Sequence, residues 1–281
     1  MQIRKKSMEN AITHFVLNEN IKISECAKKF NVDVGTLKSH LKQMNIDTNR
    51  YKYSFNENYF ETIDTEEKAY WLGFILADGS ISIKKNQLSI GLAEIDSKHL
   101  EKFKSDIDSN NPLHYYNANN NVTNKKYPTV ELDLVSKKLL YDLEKLNIVP
   151  NKSKNEQPTY LRDDLIKHYI RGFFDGDGWI TSSKRRLRNG NYGNTLKWEF
   201  GFGSSFDMTN YISEHFNEKL NIEYKEPKLN CIFKLRYSNK NDIAKIIDYL
   251  YEDAHIYLNR KYEKIKDYCR LESKLQKTQD D

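Results

Sequence analysis

Two short segments hold the side chains best placed to do chemistry. Tyr70–Ile81 reads YWLGFILADGSI and Tyr169–Ile180 reads YIRGFFDGDGWI. Gly73 and Ala77 stand four apart in the first, Gly172 and Gly176 in the second, and residues four apart share one face of a helix. A face of small residues lets two backbones approach closely. Gly79 and Gly178 suit a helix C-terminal stop in the left-handed region. Just before each stop is an aspartate, Asp78 or Asp177. A carboxylate at a helix C-terminus opposes the macrodipole at a cost of about 0.3–1 kcal/mol. If the small faces pack together the two carboxylates also meet, and like charges in contact disfavour joint ionisation. This double penalty calls for a divalent cation held by Asp78 and Asp177. Hard carboxylate oxygens fit Mg²⁺, with Mn²⁺ able to substitute. One copy of the pattern would read as an ordinary capped helix end; two copies in the same register weigh against that.

The elements that position these acids repeat as well. Each segment is followed by a pair of strands (Ile81–Ile83 with Leu88–Leu92; Ile180–Thr181 with Leu196–Phe202) and a helix (Ser97–Asp108; Asp207–Leu220). A second hairpin (Leu113–Tyr116 with Thr129–Leu134; Glu223–Lys225 with Cys231–Tyr237) and a closing helix (Lys137–Leu146; Asn241–Tyr251) complete each copy. An α-β-β-α-β-β-α unit of this length is too long for a solenoid repeat, so the pattern predicts a duplicated α+β domain. The first copy is placed at 64–149 and the second, with a C-terminal helix, at 150–281.

Composition excludes several classes. The 281 residues are 30% charged and 38% apolar, with mean hydropathy −0.81 and no apolar run near the roughly 20 residues that a membrane span needs. No membrane role is expected. MQIRKK is basic but no apolar stretch follows it, so no secretory signal is read. Cys26, Cys231 and Cys269 are odd in number and lack CxxC spacing, which excludes a disulfide framework or cysteine-rich zinc site and favours a reducing, cytoplasmic setting in a bacterium or phage. The seven histidines are scattered, without metal-ligand spacing.

Net charge is only +5, but residues 1–50 carry nine Lys/Arg against five Asp/Glu, and Thr181–Lys197 carries five Lys/Arg and no acid. Residues 1–50 read as a short helix at Asn10–Leu17, a second helix capped by Ser24, a turn at Asn31–Asp33, and a third helix, Val34–Met44, capped by Asp33. Leu37, Leu41 and Met44 form the apolar stripe of that last helix. Small Ala27 suits a close helix crossing, and Gly35, Lys38, Ser39 and Lys42 lie on the open face. The pattern resembles a helix-turn-helix, whose second helix enters the major groove of DNA. Residues 51–63 read as a linker.

The twin segments resemble the two LAGLIDADG motifs of the double-motif homing endonucleases, WLGFILADG (Trp71–Gly79) matching one and IRGFFDGDG (Ile170–Gly178) the other. NIVPNKS before the second copy and YLNRKYEKI near the end also look like that family. The resemblance implies tandem αββαββα halves with pseudo-two-fold symmetry and antiparallel sheets forming a saddle over double-stranded DNA. It implies a monomeric, metal-dependent, site-specific endonuclease that hydrolyses both strands, with Asp78 and Asp177 as catalytic metal ligands and Asp175 supporting. A basic residue on each half's last strand supports the site in the family; Lys234 and Arg236 fill that role in the second half, whereas the first half has Asp133 there.

Sheet patterning agrees with a DNA face. Ile81, Ile83, Leu88, Ile90 and Leu92 are expected to face the helices and leave polar residues on the other side. Hairpin-tip residues Lys84, Lys85, Asn86 and Gln87 in one half, and Lys184, Arg185, Arg186, Arg188 and Asn191 in the other, are the expected contacts to phosphates and bases. Two other readings remain open: a non-cleaving DNA-binding regulator, against which the intact Asp78 and Asp177 argue, and an intron RNA maturase. The chain begins with Met and ends Gln-Asp-Asp, without intein splicing residues, so a free-standing protein is expected.

Overall fold

The computed structural model describes residues 2–18, 21–48, 53–119, 125–186 and 192–277. By contacts the chain divides into two compact units, residues 1–54 and 55–281.

The first unit is three helices, α1 (Gln2–Leu17), α2 (Ile23–Lys29) and α3 (Val34–Gln43). Their core is Ala11, Phe15, Cys26, Ala27, Leu37 and Leu41. Asp33 caps α3 as expected, accepting from Thr36 N at 2.8 Å, and Asn31 makes the turn at φ 51°. Three expectations fail here. α1 begins about two turns earlier than Asn10. Ser24 lies inside α2, whose N-cap is Lys22 without a side-chain bond. Met44 ends α3 as its C-cap and is 55% exposed, because the apolar stripe is already completed by Leu37 and Leu41.

The second unit holds two copies of one motif. The first is α4 (Glu66–Asp78), β1 (Gly79–Ser82), β2 (Gln87–Ala93), α5 (Ser97–Asp106), β3 (Leu113–Asn119), β4 (Lys126–Val135) and α6 (Lys137–Lys145). The second is α7 (Asp163–Asp177), β5 (Gly178–Arg186), β6 (Tyr192–Ser204), α8 (Phe206–Leu220), β7 (Lys228–Asn230), β8 (Ile232–Tyr237) and α9 (Lys240–Tyr251), followed by α10 (Asn259–Lys277). Each copy forms a four-stranded antiparallel sheet of the same order, β1-β2-β4-β3 and β5-β6-β8-β7. The α+β duplication expected from the repeat is thus present.

Side-chain alternation places the core. Leu88, Ile90, Val130, Leu132 and Leu134 in one sheet, and Phe200, Phe202, Leu235 and Tyr237 in the other, are buried on the helix side. α4 is buried all round from Ala69 to Leu76 and α7 from His168 to Asp175, as expected of helices covered on every side. Arg171 is therefore fully buried, and its guanidinium is satisfied by Glu66, His168 and the carbonyls of Leu250 and Ile256. Tyr59 and Phe60 are buried in the same core, so the end of the stretch read as a linker packs on the first copy. Ile83 is a further departure. It begins a single 3₁₀ turn (Ile83–Lys85) after β1 and is 61% exposed, because the chain must reverse to reach β2. Glu223–Lys225 is not a strand; the hairpin partner of β8 is β7, which begins five residues after Glu223.

Candidate active site

α4 and α7 cross at their small residues. A Cβ on Gly73 would stand 2.0 Å from Tyr169 O, and one on Gly172 would stand 1.9 Å from Tyr70 O. The two glycines thus perform the same task reciprocally, each admitting the other helix's backbone. Farther along, a Cβ on Gly176 would meet Ala77 Cβ at 2.3 Å and Asp78 Oδ2 at 3.3 Å. The crossing brings the C-terminal ends of both helices together, and with them the two aspartates.

Asp78 and Asp177 are the last residues of their helices, and both are only partly exposed. Burial raises the Asp78 carboxyl above the usual carboxylate range, opposed by Lys261, Lys152 and Arg260. Asp177 is pushed up to about 7, first by burial and then by the Asp78 charge. That second cause is the mutual repulsion expected if the two acids meet. Gly79 and Gly178 differ from expectation. They have φ −73° and −82° and are extended rather than left-handed. Glycine is needed because a Cβ would strike Ile75 O at 2.6 Å or the Phe174 ring at 2.2 Å as each chain leaves its helix directly into a strand.

The helix ends are capped by two lysines that motif reading did not single out. Lys152 Nζ donates to Gly79 O at 2.6 Å and to Ala77 O at 3.3 Å. Lys261 Nζ donates to Phe174 O at 2.5 Å, Gly176 O at 2.9 Å and Gly178 O at 2.6 Å. Each lysine is 7% exposed. Cations at helix C-termini complete the orphan carbonyls and oppose the negative end of the dipole. Burial lowers both lysines, Lys261 to about 8, and this is countered by Asp175, Asp78 and Asp177 at Lys261 and by Asp177, Glu156 and Asp78 at Lys152. Two acids and two lysines therefore share one desolvated centre. The lysines sit in NIVPNKS and YLNRKYEKI, but sequence separations of over seventy residues hid which carbonyls they reach.

Asp175 is 1% exposed and is a structural anchor, consistent with a supporting part. It accepts from Tyr70 OH at 2.7 Å, Tyr251 OH at 2.9 Å and Leu258 N at 2.7 Å, tying α7 to the other copy and to the approach to α10.

The open sheet faces beside the acids match in register and differ in chemistry. Gly79 pairs with Ile90 and Gly178 with Phe202, so Ser89 and Gly201 are equivalent. Ser89 pairs with Asp133 and Gly201 with Arg236, which makes Asp133 the positional counterpart of Arg236. In the first copy Ser89 Oγ donates to Asp133 Oδ1 at 2.5 Å, and Gln87 Nε2 donates to Ser89 Oγ at 2.8 Å. In the second, Trp179 Nε1 donates to Glu199 Oε1 at 2.9 Å, and Arg236 Nε lies 3.9 Å from the same oxygen. Lys234 and Arg236 line a concavity with Lys225, Glu226, Lys228 and Asn230.

The remaining expected contacts are scattered. Lys84 and Lys85 are exposed in the 3₁₀ turn, Gln87 opens β2, and Lys184 is exposed on β5. Arg185 and Arg186 end β5, but their side chains lie outside the described set; Arg188 and Asn191 lie outside the described residues. Lys38, Ser39 and Lys42 are exposed on α3 of the first unit.

No family model and no curated protein matches the chain. Solved structures do. The chain is similar to the I-SmaMI LAGLIDADG homing endonuclease bound to cleaved DNA, at 16% identity and TM-score 0.51, over 77% of this chain and 91% of that one. It is similar to I-SmaMI bound to uncleaved DNA target in the presence of calcium ions, at 15% identity and TM-score 0.53, over 77% and 93%. The LAGLIDADG meganuclease I-AabMI bound to uncleaved DNA matches at 13% identity and TM-score 0.50, over 75% and 91%. The chain has the LAGLIDADG homing endonuclease fold. Within that fold, the glycine crossing, paired aspartates and lysine caps are the features this chain places at its centre. No helix of the described residues is long and apolar enough to cross a membrane.

Proposed function

We propose that the protein is a site-specific DNA endonuclease that hydrolyses phosphodiester bonds of both strands, acts as a monomer and depends on a divalent metal. The observation that carries this reading is the meeting of Asp78 and Asp177 at the helix crossing, each partly buried and each raised above the usual carboxylate range. A non-cleaving DNA-binding protein has no use for that repulsion.

The donor set fits Mg²⁺. Among the described residues, no group of three His, Cys, Asp or Glu forms a ready metal cluster. Mg²⁺ takes few protein carboxylates and completes its shell with water and substrate phosphates. Asp78 and Asp177 would hold it, and when bound it supplies Lewis-acid charge for the phosphate oxygens and a more acidic water. The chain's own residues do the rest. Lys152 and Lys261 lock the carbonyls that orient both helix ends, and their charges lower the cost of bringing a phosphate beside two acids. Asp175 fixes α7 against the opposite half. Lys234, with the basic tips of the second sheet, holds the DNA backbone, and Arg236 beside it faces the duplex from the open sheet face.

Residues 1–54 act on this reading as a helix-turn-helix tether through Lys38, Ser39 and Lys42. A tethered module raises local concentration without changing the chemistry. Deleting them is expected to weaken binding while leaving the cut position unchanged.

The experiment is cleavage of a randomised-site plasmid library with Mg²⁺, followed by sequencing of the ends. Defined ends that vanish in EDTA support the proposal. Cleavage at full rate in excess EDTA, or no cleavage with any divalent cation by folded protein, overturns it.

A further inference from the structure

If the open sheet faces lie against duplex DNA, as proposed above, Asp133 faces a polyanion from a position where its counterpart is an arginine. A carboxylate there is repelled by phosphates and loses hydration as the duplex approaches, so an unpaired one lowers affinity for every sequence. Only a base-edge donor offsets that loss. In the major groove the amino donors are cytosine N4 and adenine N6. Adenine carries its N7 acceptor beside N6, which opposes a second carboxylate oxygen, whereas cytosine offers its amino group alone.

The structure holds Asp133 ready for such a contact. Its neighbours Leu132 and Leu134 are buried on the helix side, so its side chain stands on the open face. Ser89 Oγ takes one oxygen at 2.5 Å, and that hydroxyl is itself fixed by Gln87. Asn111 Nδ2 donates to the Asp133 carbonyl at 2.8 Å and fixes the backbone. No hydrogen bond among the described residues takes Oδ2. At the matching register Arg236 presents a guanidinium, for which guanine O6 and N7 are the complementary edge.

We propose that Asp133 is a specificity-determining residue that selects a cytosine in the half-target read by residues 64–149. Because the equivalent residue of the other half is Arg236, the target departs from palindromic symmetry at that position. This inference rests on the endonuclease reading, and its test separates the two.

The full-length protein is used to select bound duplexes from a randomised library in Ca²⁺. The selected sequences are compared for wild type, Asp133→Asn and Asp133→Arg, with Ser89→Ala as a milder variant that frees the carboxylate without removing it. Wild type is expected to favour cytosine at one position of one half-target about tenfold. Asp133→Asn should lose that preference, Asp133→Arg should convert it to guanine, and Ser89→Ala should weaken it, with the other half-target unchanged in each. If wild type selects a defined target but no cytosine position responds to these substitutions, the assignment of Asp133 is overturned while the DNA-binding reading stands. If folded wild type selects no sequence at all, the underlying reading fails and this one falls with it.

Discussion

The two halves solve the helix crossing identically and the sheet floor oppositely. Gly73 and Gly172 each admit the other helix's carbonyl, and Asp78 and Asp177 end equivalent helices that run straight into equivalent strands. On the floor, Ser89 and Asp133 stand where the second half has Gly201 and Arg236, and exposed Ser80 stands where it has Trp179. The difference separates two kinds of constraint. Where two backbones touch, only one residue type fits and both copies must keep it. Where a surface faces outward, each copy is free to take the charge that suits its own half of an asymmetric partner.

The largest expected effect tests the shared part. Gly73→Ala and Gly172→Ala each place a methyl group within about 2 Å of a carbonyl oxygen, which must force the helices apart. Each should cost about 3 kcal/mol or more, the upper end of core overpacking, and the two should cost alike. Thermal unfolding measures this. A stable Gly172→Ala beside an unfolded Gly73→Ala would break the claimed equivalence.

Next come the acids. Asp78→Asn and Asp177→Asn should each slow double-strand cleavage by at least about a hundredfold, because each removes an oxygen ligand from the shared centre. Stability should move the other way. Folding raises the Asp177 carboxyl to about 7, so the folded state disfavours its ionised form. That penalty is absent below the unfolded value near 4 and grows as pH rises towards 7. At pH 8 in EDTA, Asp177→Asn should therefore be more stable than wild type by about 1–2 kcal/mol, discounting for partial exposure. A thermal scan beside a plasmid time course reads both. Wild-type linearisation by either variant would remove that acid from the active site.

The lysine caps sharpen the comparison, since they are alike in kind and unequal in extent. Lys261 bonds three carbonyls and Lys152 two, one of them at 3.3 Å. Lys261→Met should lose more activity than Lys152→Met, with each loss on the order of tenfold to a hundredfold. Supercoiled substrate should then show more nicked intermediate in the lysine variants than in wild type. Equal losses would mean that charge alone matters and the carbonyl bonds do not.

Much of this arrangement was legible in the sequence, and the failures have a common cause. The duplication showed because hydrophobic alternation, small residues four apart and Asp-Gly recur in one order. The counterpart relation of Asp133 and Arg236 followed from equal spacing to Leu140 and Ile243, and the strand register agrees. Local pattern failed where a distant group decides the outcome. Gly79 and Gly178 were expected to be left-handed stops, yet tertiary lysines terminate the helices and the glycines serve close packing. Phe60 looked like linker because its partners, Phe103 among them, lie far along the chain. Glu223–Lys225 alternates polar and aromatic residues as a strand would, yet only the pairing of β7 with β8 shows where the hairpin begins.

The smallest expected effect concerns two of the three buried histidines among the described residues, one taken from each half. His99 of the first half is pushed down to about 3, by burial first and Lys102 second. His168 of the second half is pushed down to about 4, by burial and then by Arg171, against the pull of Glu66. Both must stay neutral in the folded protein. A group whose folded value lies below its unfolded value near 6.5 adds stability that is complete above 6.5 and is lost as pH falls towards the folded value. The histidines' contribution should therefore decline from about pH 6.5 down to about pH 4, against the opposite trend from Asp177, whose penalty is relieved as its carboxyl protonates below about 7. The halves should differ in how a substitution responds. His168 bonds Arg171 at 3.0 Å, so His168→Gln retains a partner for the guanidinium and should flatten the acid decline with little loss at pH 7. His99 bonds Tyr70 through Nε2 at 2.9 Å while its Nδ1 has no partner among the described residues, so His99→Gln keeps one bond at most and opens space beside Trp71 and Phe74. It should flatten the same decline but cost about 1–2 kcal/mol at pH 7. Melting temperatures of the three proteins from pH 7 to pH 4 decide this, and parallel curves for wild type and both variants would show that neither histidine sets the acid limit.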